Sequence, residues 1–189
     1  GKLQNSGYEF SVSAKLLKKN DMFWMVMVNG SHVFDKLTSI SDALKAENMA
    51  AYYGVKPQPM FVEGGSQFGI YAMRSAGIDP ASGLEVYIKK NGNYTFTYDK
   101  NERVEVGNTN PLLEGSLFTS FSYRGFSLNV SATYKFGGDI YNTTLANKVE
   151  YIDPYRNVDR RAFTERWKKP GDLVRFLGIP ESVSDENRF

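Results

Sequence analysis

Residues 112–142 read LLEGSLFTSFSYRGFSLNVSATYKFGGDIYN, and the fold turns on how this stretch alternates. In its second arm Phe126, Leu128, Val130, Ala132, Tyr134 and Phe136 fall on one side. Ser127, Asn129, Ser131, Thr133 and Lys135 fall on the other. A period of two is the pleat of a β-strand. The first arm repeats this more weakly, with Leu117, Phe121 and Tyr123 set against Ser116, Ser120 and Ser122; Phe118 and Thr119 break the pattern. Gly125 sits between the arms and tolerates the positive φ of a tight turn. At about 3.3 Å per residue and a tilt near 45°, the regular part of the second arm spans roughly 25 Å, the apolar height of an outer-membrane barrel. Tyr123, Phe126, Tyr134, Phe136 and Tyr141 cluster towards the arm ends, where interfacial girdles lie. A long hairpin of a soluble β-sandwich alternates in the same way, so alternation alone leaves both architectures open.

Working outward, residues 7–15 alternate Tyr8, Phe10, Val12 and Ala14 with Glu9, Ser11, Ser13 and Lys15. A polar turn at 18–21 leads into a second long strand over 22–34. Trp24, Val26, Val28, Gly30, His32 and Phe34 share one face of it. The other face begins Phe23, Met25, Met27, apolar enough to pack on further protein. Between the two long hairpins, residues 39–51 change period, and Ser39 or Ser41 can cap a helix there. A short strand is expected over 68–74. Asp79-Pro80-Ala81-Ser82-Gly83 is a turn in which proline presets φ, aspartate bonds forward and glycine takes the left-handed position. Asn91-Gly92 between residues 84–89 and 94–98 marks a small hairpin. Residues 143–189 form a long polar stretch with a short helix expected near 159–167. Short turns thus alternate with long excursions at 38–111 and after 142. Outer-membrane barrels show this asymmetry, whereas soluble sandwiches keep loops of about 2–6 residues throughout.

Composition narrows the classes. Aromatics are 14% of 189 residues, led by Tyr and Phe, which favours strands. A net charge of +2 without a basic cluster argues against nucleic acid. With no cysteine, the chain has no disulfide, thiolate metal site or thiol nucleophile. No run of 18 apolar residues forms a transmembrane helix, which leaves a barrel as the way this chain would cross a bilayer. The chain begins at Gly1 and ends in ESVSDENRF; it is expected to be an internal piece of a longer protein.

Several stretches then read together: IYAMRSAGIDPASG at 70–83, GNTNP at 107–111, FSYRGFSL at 121–128, GGDIYN at 137–142, NVDRR at 157–161 and TERWKKPGD at 164–172. In that order and spacing they resemble the late barrel region of the SusC/RagA family of TonB-linked outer-membrane proteins, over nearly the whole chain. The resemblance implies a barrel of about 22 strands with an N-terminal plug. It also implies a SusD-like surface lipoprotein as lid, and import of oligosaccharides or peptides powered through the TonB complex. The TonB box, plug and last strands of the family pattern are not among these residues. The expected fold is all-β: a section of a large antiparallel transmembrane β-barrel in the cell outer membrane. About four long strands in two hairpins, 7–34 and 112–142, would face outer-membrane lipid. Long extracellular loops, 38–111 and 143–189, would carry a short helix and a small hairpin. The alternative is a soluble β-sandwich carbohydrate-binding module.

Chemistry-bearing residues are few. His32 is the only histidine and lies in a strand pattern, which suits a girdle or sheet-face residue better than a catalytic one. Metal sites need clustered ligands, and no acid–base constellation can be assembled, so no enzyme, cofactor or metal is expected. Arg166, Trp167 and Lys168 form the candidate substrate-binding patch, with Tyr151, Tyr155 and Tyr87 as further contributors. An indole beside cations can stack on a sugar ring or clamp an acidic ligand. Equally, Trp167 can anchor its loop while its neighbours stay solvated, because a loop this long needs packing of its own.

Overall fold

The structure is a computed structural model that describes residues 1–50, 56–150 and 157–178. The Ala51 end of the expected helix, the candidates Tyr151 and Tyr155, and the terminal ESVSDENRF lie outside the described residues. In chain order the strands are β1 (Lys2–Lys19), β2 (Met22–Ser39), β3 (Gln58–Pro59), β4 (Gly69–Ala72), β5 (Arg74–Ile78), β6 (Glu85–Ile88), β7 (Tyr94–Thr95), β8 (Val104–Asn108), β9 (Leu113–Tyr123) and β10 (Phe126–Phe136). The α-helices are α1 (Asp42–Ala50), α2 (Thr143–Leu145) and α3 (Arg161–Thr164), with a π-turn over Ala146–Glu150 directly after α2. No described helix is long and apolar enough to cross a membrane, which says nothing of strands. The chain is all-β, and its resolved strand pairs are antiparallel.

The chain divides into two compact units. The first comprises Gly1–Leu44, Phe61–Phe68 and Asn108–Asp139. It holds a four-stranded sheet in the order β1-β2-β9-β10, which is two hairpins side by side. Two-residue turns join each pair, Asn20-Asp21 and Arg124-Gly125. The second has φ of 46° at Arg124 and 86° at Gly125; two successive positive φ values make the turn whose twist matches that of the flanking strands. The backbone N–H of Arg124 donates to the Asp21 carbonyl at 3.0 Å, fastening one turn beside the other.

Register sorts the side chains. Val12 faces Val28, which faces Leu117, which faces Ala132. Likewise Ala14, Val26, Thr119 and Val130 align across the four strands, and Leu17, Trp24, Phe121 and Leu128 form the next row. One face is therefore apolar over its whole width. Leu17 belongs to that face because of a bulge at Leu16, between the pairs Lys15–Met25 and Leu17–Trp24. Without the extra residue, Leu17 would swap faces with Lys18. The opposite face carries Glu9, Ser11, Ser13, Asn29, Ser116, Ser120, Asn129 and Ser131, with Phe23, Met25, Met27 and Phe118 among them.

Polar groups on the apolar face are bonded to one another or to main-chain carbonyls. The Trp24 Nε1–H donates to Thr119 Oγ1 at 2.9 Å, and the Thr119 hydroxyl donates to the Met25 carbonyl at 3.3 Å. The Tyr134 hydroxyl reaches over Gly115 to donate to the Asn29 carbonyl at 2.6 Å. A Cβ on Gly115 would stand 2.8 Å from that hydroxyl, and one on Gly30 2.7 Å from the Phe10 ring. These two glycines, opposite each other in the register, leave the furrow that Tyr134 and Phe10 fill.

Both outer hairpin strands run longer than expected: β1 and β2 span 2–19 and 22–39 rather than 7–15 and 22–34. Beyond Ser31, where pairing with β9 stops, the loop segments hold β2. The backbone of Leu37 exchanges bonds with Gly64 and Gly65, and the Asp35 carboxylate accepts from Ser66 and Gln67. On the apolar side Lys36 and Thr38 then replace Phe34, so the apolar band ends at a ring of Tyr8, His32 and Phe34. His32 is buried there, and its Nδ1–H donates to the Pro111 carbonyl at 2.9 Å.

The second unit contains two three-stranded sheets, β3-β4-β8 and β5-β6-β7. It also has a small core of Val149, Ala162 and Phe176 with Leu145 and Val158 packed on it. The Asn-Gly hairpin forms as the sequence predicts. The helix expected near 159–167 is shorter, α3 covering four residues, because from Glu165 onward the backbone pairs with Phe176 instead of continuing the helix. The helical turns at 143–150 answer to no apolar period in the sequence; the Asn142 side chain caps them by accepting from the Leu145 N–H at 2.9 Å.

Candidate functional site

In the second unit, the 79–83 turn is built as its residues dictate. The Asp79 carboxylate accepts from the Ala81 and Ser82 N–H groups and from the Ser82 hydroxyl. The Ser82 bond holds the Asp79 carboxyl below the usual range. Gly83, at φ 71°, closes the turn. The indole of Trp167 lies flat against this glycine; a Cβ there would stand 2.4 Å from Trp167 Cδ2. Trp167 Nε1–H and the Gly171 N–H both donate to the Pro80 carbonyl, each at 2.9 Å. Two of the motifs quoted above, 70–83 and 164–172, are thus halves of one clamp.

Arg166 is 5% exposed. Its Nε donates to Ala162 O at 3.1 Å, one terminal nitrogen to Leu177 O at 2.8 Å, and the other to the carbonyls of Val149 and Glu150. Burial lowers its pKa, and Glu150 opposes the shift. The guanidinium is a staple that satisfies main-chain carbonyls of three separate segments. Lys168 is exposed on the turn that Asp172 caps through the N–H groups of 168 and 169. Arg161 holds the Asp159 carboxyl down at about 2.

Next to the staple lies a cleft of about 250 Å³. Ala72, Met73, Ile78, Leu84 and Phe176 give it apolar walls; Tyr87, Phe96 and Tyr141 bring aromatic rings; Glu85, Glu150 and Arg175 bring charge. Burial, then the charge of Glu85, raises the Glu150 pKa, against the pull of Arg166 and Lys56. Burial and Glu150 likewise raise that of Tyr141. Tyr87 is held edge-on to Tyr98 at 5.7 Å.

Of the expected patch, Arg166 and Tyr87 line this cleft, while Trp167 packs on the turn and Lys168 points to solvent. Sequence reasoning did not single out Glu85, Glu150 or Phe96, and it expected Tyr141 in an interfacial girdle, whereas Tyr141 lines the cleft of the second unit. They stand on different segments, and no spacing in the sequence joins them. Among the described residues, no cluster of His, Cys, Asp and Glu could hold a metal ion.

No family model matches the chain. Among curated proteins the chain is similar to the TonB-dependent receptor P3 of Formosa agariphila, with 23% identity over 165 residues, 77% of this chain. The chain spans 16% of that receptor's length. The likeness is distant, and the family it suggests is that of the TonB-dependent receptors.

Proposed function

We propose that this chain forms part of the wall and outer loops of a TonB-dependent nutrient importer in the outer membrane. The observation that carries the proposal is the apolar face of the four-stranded sheet. Among the described residues no core covers it: Phe126 is 62% exposed, Val12 59% and Val130 45%, with about a dozen such side chains in all. At ~1 kcal/mol for each half-exposed apolar side chain, leaving them in water costs on the order of 10 kcal/mol. That equals the whole stability of an ordinary domain, about 5–15 kcal/mol. Lipid removes that cost. The eleven-residue strands β9 and β10 match a tilted bilayer span of roughly 25 Å. The likeness to a TonB-dependent receptor supports the same assignment.

The finer assignment extends this. Residues 7–34 and 112–142 are the spanning hairpins, and 38–111 and 143–189 are extracellular. The parent belongs to the SusC/RagA family, takes oligosaccharide or peptide from a SusD-like lipoprotein, and couples to TonB through parts beyond this chain. Tyr87 and Lys168, with Tyr151 and Tyr155, meet substrate. Arg166 and Trp167 hold the loop that presents Lys168.

Fractionation of cells expressing the full-length parent tests the assignment. The parent should reach the outer membrane and run as a heat-modifiable band. Residues 1–189 alone should aggregate without detergent, since β1 and β10 each leave one edge without a partner among the described residues. A soluble, cooperatively folding monomer of 1–189 would instead favour a soluble carbohydrate-binding module.

A further inference from the structure

We infer that the cleft lined by Glu85, Tyr87 and Phe96 together with Tyr141, Glu150 and Phe176 is a subsite for one uncharged sugar ring of an oligosaccharide, a conclusion that rests on the importer assignment. Its size comes first. About 250 Å³ lies below the roughly 300–1,000 Å³ of clefts that enclose drug-sized ligands, so it takes one ring of a longer chain rather than a whole solute.

Its charge comes second. The carboxylates of Glu85 and Glu150 share the cleft with the guanidinium groups of Arg166 and Arg175. The Arg166 donors are occupied by main-chain carbonyls, so that cation balances charge without reaching for an anion. Two carboxylates and two guanidinium groups balance one another, so a charged ring gains little net attraction here and still loses its hydration, whereas a neutral ring avoids that desolvation cost.

Its surfaces come third. A pyranose has an apolar C–H face and a rim of hydroxyls. Phe96 is 55% exposed although it lines the cleft, and Tyr87 beside it is held by Tyr98, so aromatic surface stands ready for the C–H face. The two carboxylates accept hydroxyl protons, and charge-assisted bonds of that kind are the stronger class. Ligand contact removes Phe96 from water.

The test uses the detergent-solubilised full-length parent with four neutral probes: cello-, malto-, manno- and xylohexaose. Isothermal titration should show binding of at least one. Phe96→Ala and Glu150→Gln should each weaken it tenfold or more, whereas Phe163→Ala, an exposed aromatic outside the cleft, should leave it unchanged. Outer-membrane recovery and heat-modifiability of every variant report folding and the importer assignment separately. Binding by none of the four probes, or binding that both cleft variants leave intact in a correctly inserted barrel, overturns the subsite while leaving the importer standing. Failure of the parent to reach the outer membrane overturns the importer itself.

Discussion

The carbonyl oxygen of Pro80 accepts two hydrogen bonds from a segment 87 residues further along the chain, and the loops of the second unit hang on contacts of this kind. Trp167 supplies the indole that covers Gly83, and this fixes what substitutions should do. Trp167→Phe loses one bond and should cost about 1 kcal/mol. Gly83→Ala should cost more, about 1–3 kcal/mol from the positive φ, because its Cβ also collides with the ring. Gly83→Ala should speed proteolysis of residues 164–172 in the parent on intact cells, and more than Trp167→Phe does. Glu150 acts in the opposite sense. Its carboxyl is raised above the ordinary 4.5 by burial and by Glu85, so the folded loop holds the proton more tightly than the unfolded loop. The stability this gives is complete below 4.5 and is lost as pH rises through the raised value. Glu150→Gln should therefore slow loop proteolysis at pH 8 and make no difference at pH 4, even as it weakens sugar binding.

At the scale of the element, the strand faces decide between lipid and water. Val130 stands mid-strand on the apolar face of β10, and Asn129 beside it on the polar one. Val130→Arg should cost about 2–4 kcal/mol of barrel stability if that depth is the bilayer midplane. Asn129→Arg should cost little, since it enters the face of Asn29 and Ser116. Urea titration of heat-modifiability in the parent measures both. This contrast was legible in the sequence of β10, because every one of its eleven residues obeys the alternation. β1 was less legible: Leu16-Leu17-Lys18-Lys19 looks like the end of a strand, and only the bulge at Leu16 lets the apolar row continue to Leu17. Phe118 and Thr119 looked like faults in β9. Thr119 in fact keeps its place on the apolar face by bonding Trp24 and Met25, and Phe118 lies beside Met27 on the other side. The turns at 79–83 and 123–126 could be read locally because Asp79, Gly83 and Gly125 act within four residues. The work of Arg166 and Trp167 could not, because the carbonyls and the glycine they meet belong to remote segments. The cleft was hidden for the same reason.

For the molecule as a whole, no core lies beneath the longest sheet among the described residues, and on the importer reading its apolar face meets lipid. The small cluster around Val149 and Phe176 serves the second unit alone. The four-stranded sheet has water-compatible side chains on one face and lipid-compatible ones on the other, and the long strands of β1 and β2 carry its ladder on beyond the apolar band. The absence of cysteine from the chain makes the direct measurement simple. Nitroxide labels placed singly at 126–136 in the parent, reconstituted in bilayers, report collision with dissolved oxygen and with a water-soluble nickel chelate. Labels at 126, 128, 130, 132, 134 and 136 should favour oxygen and those at 127, 129, 131, 133 and 135 the chelate, in strict alternation. If the even-numbered labels are instead shielded from both reagents, the apolar row is sealed inside a protein core and the membrane-wall account is wrong.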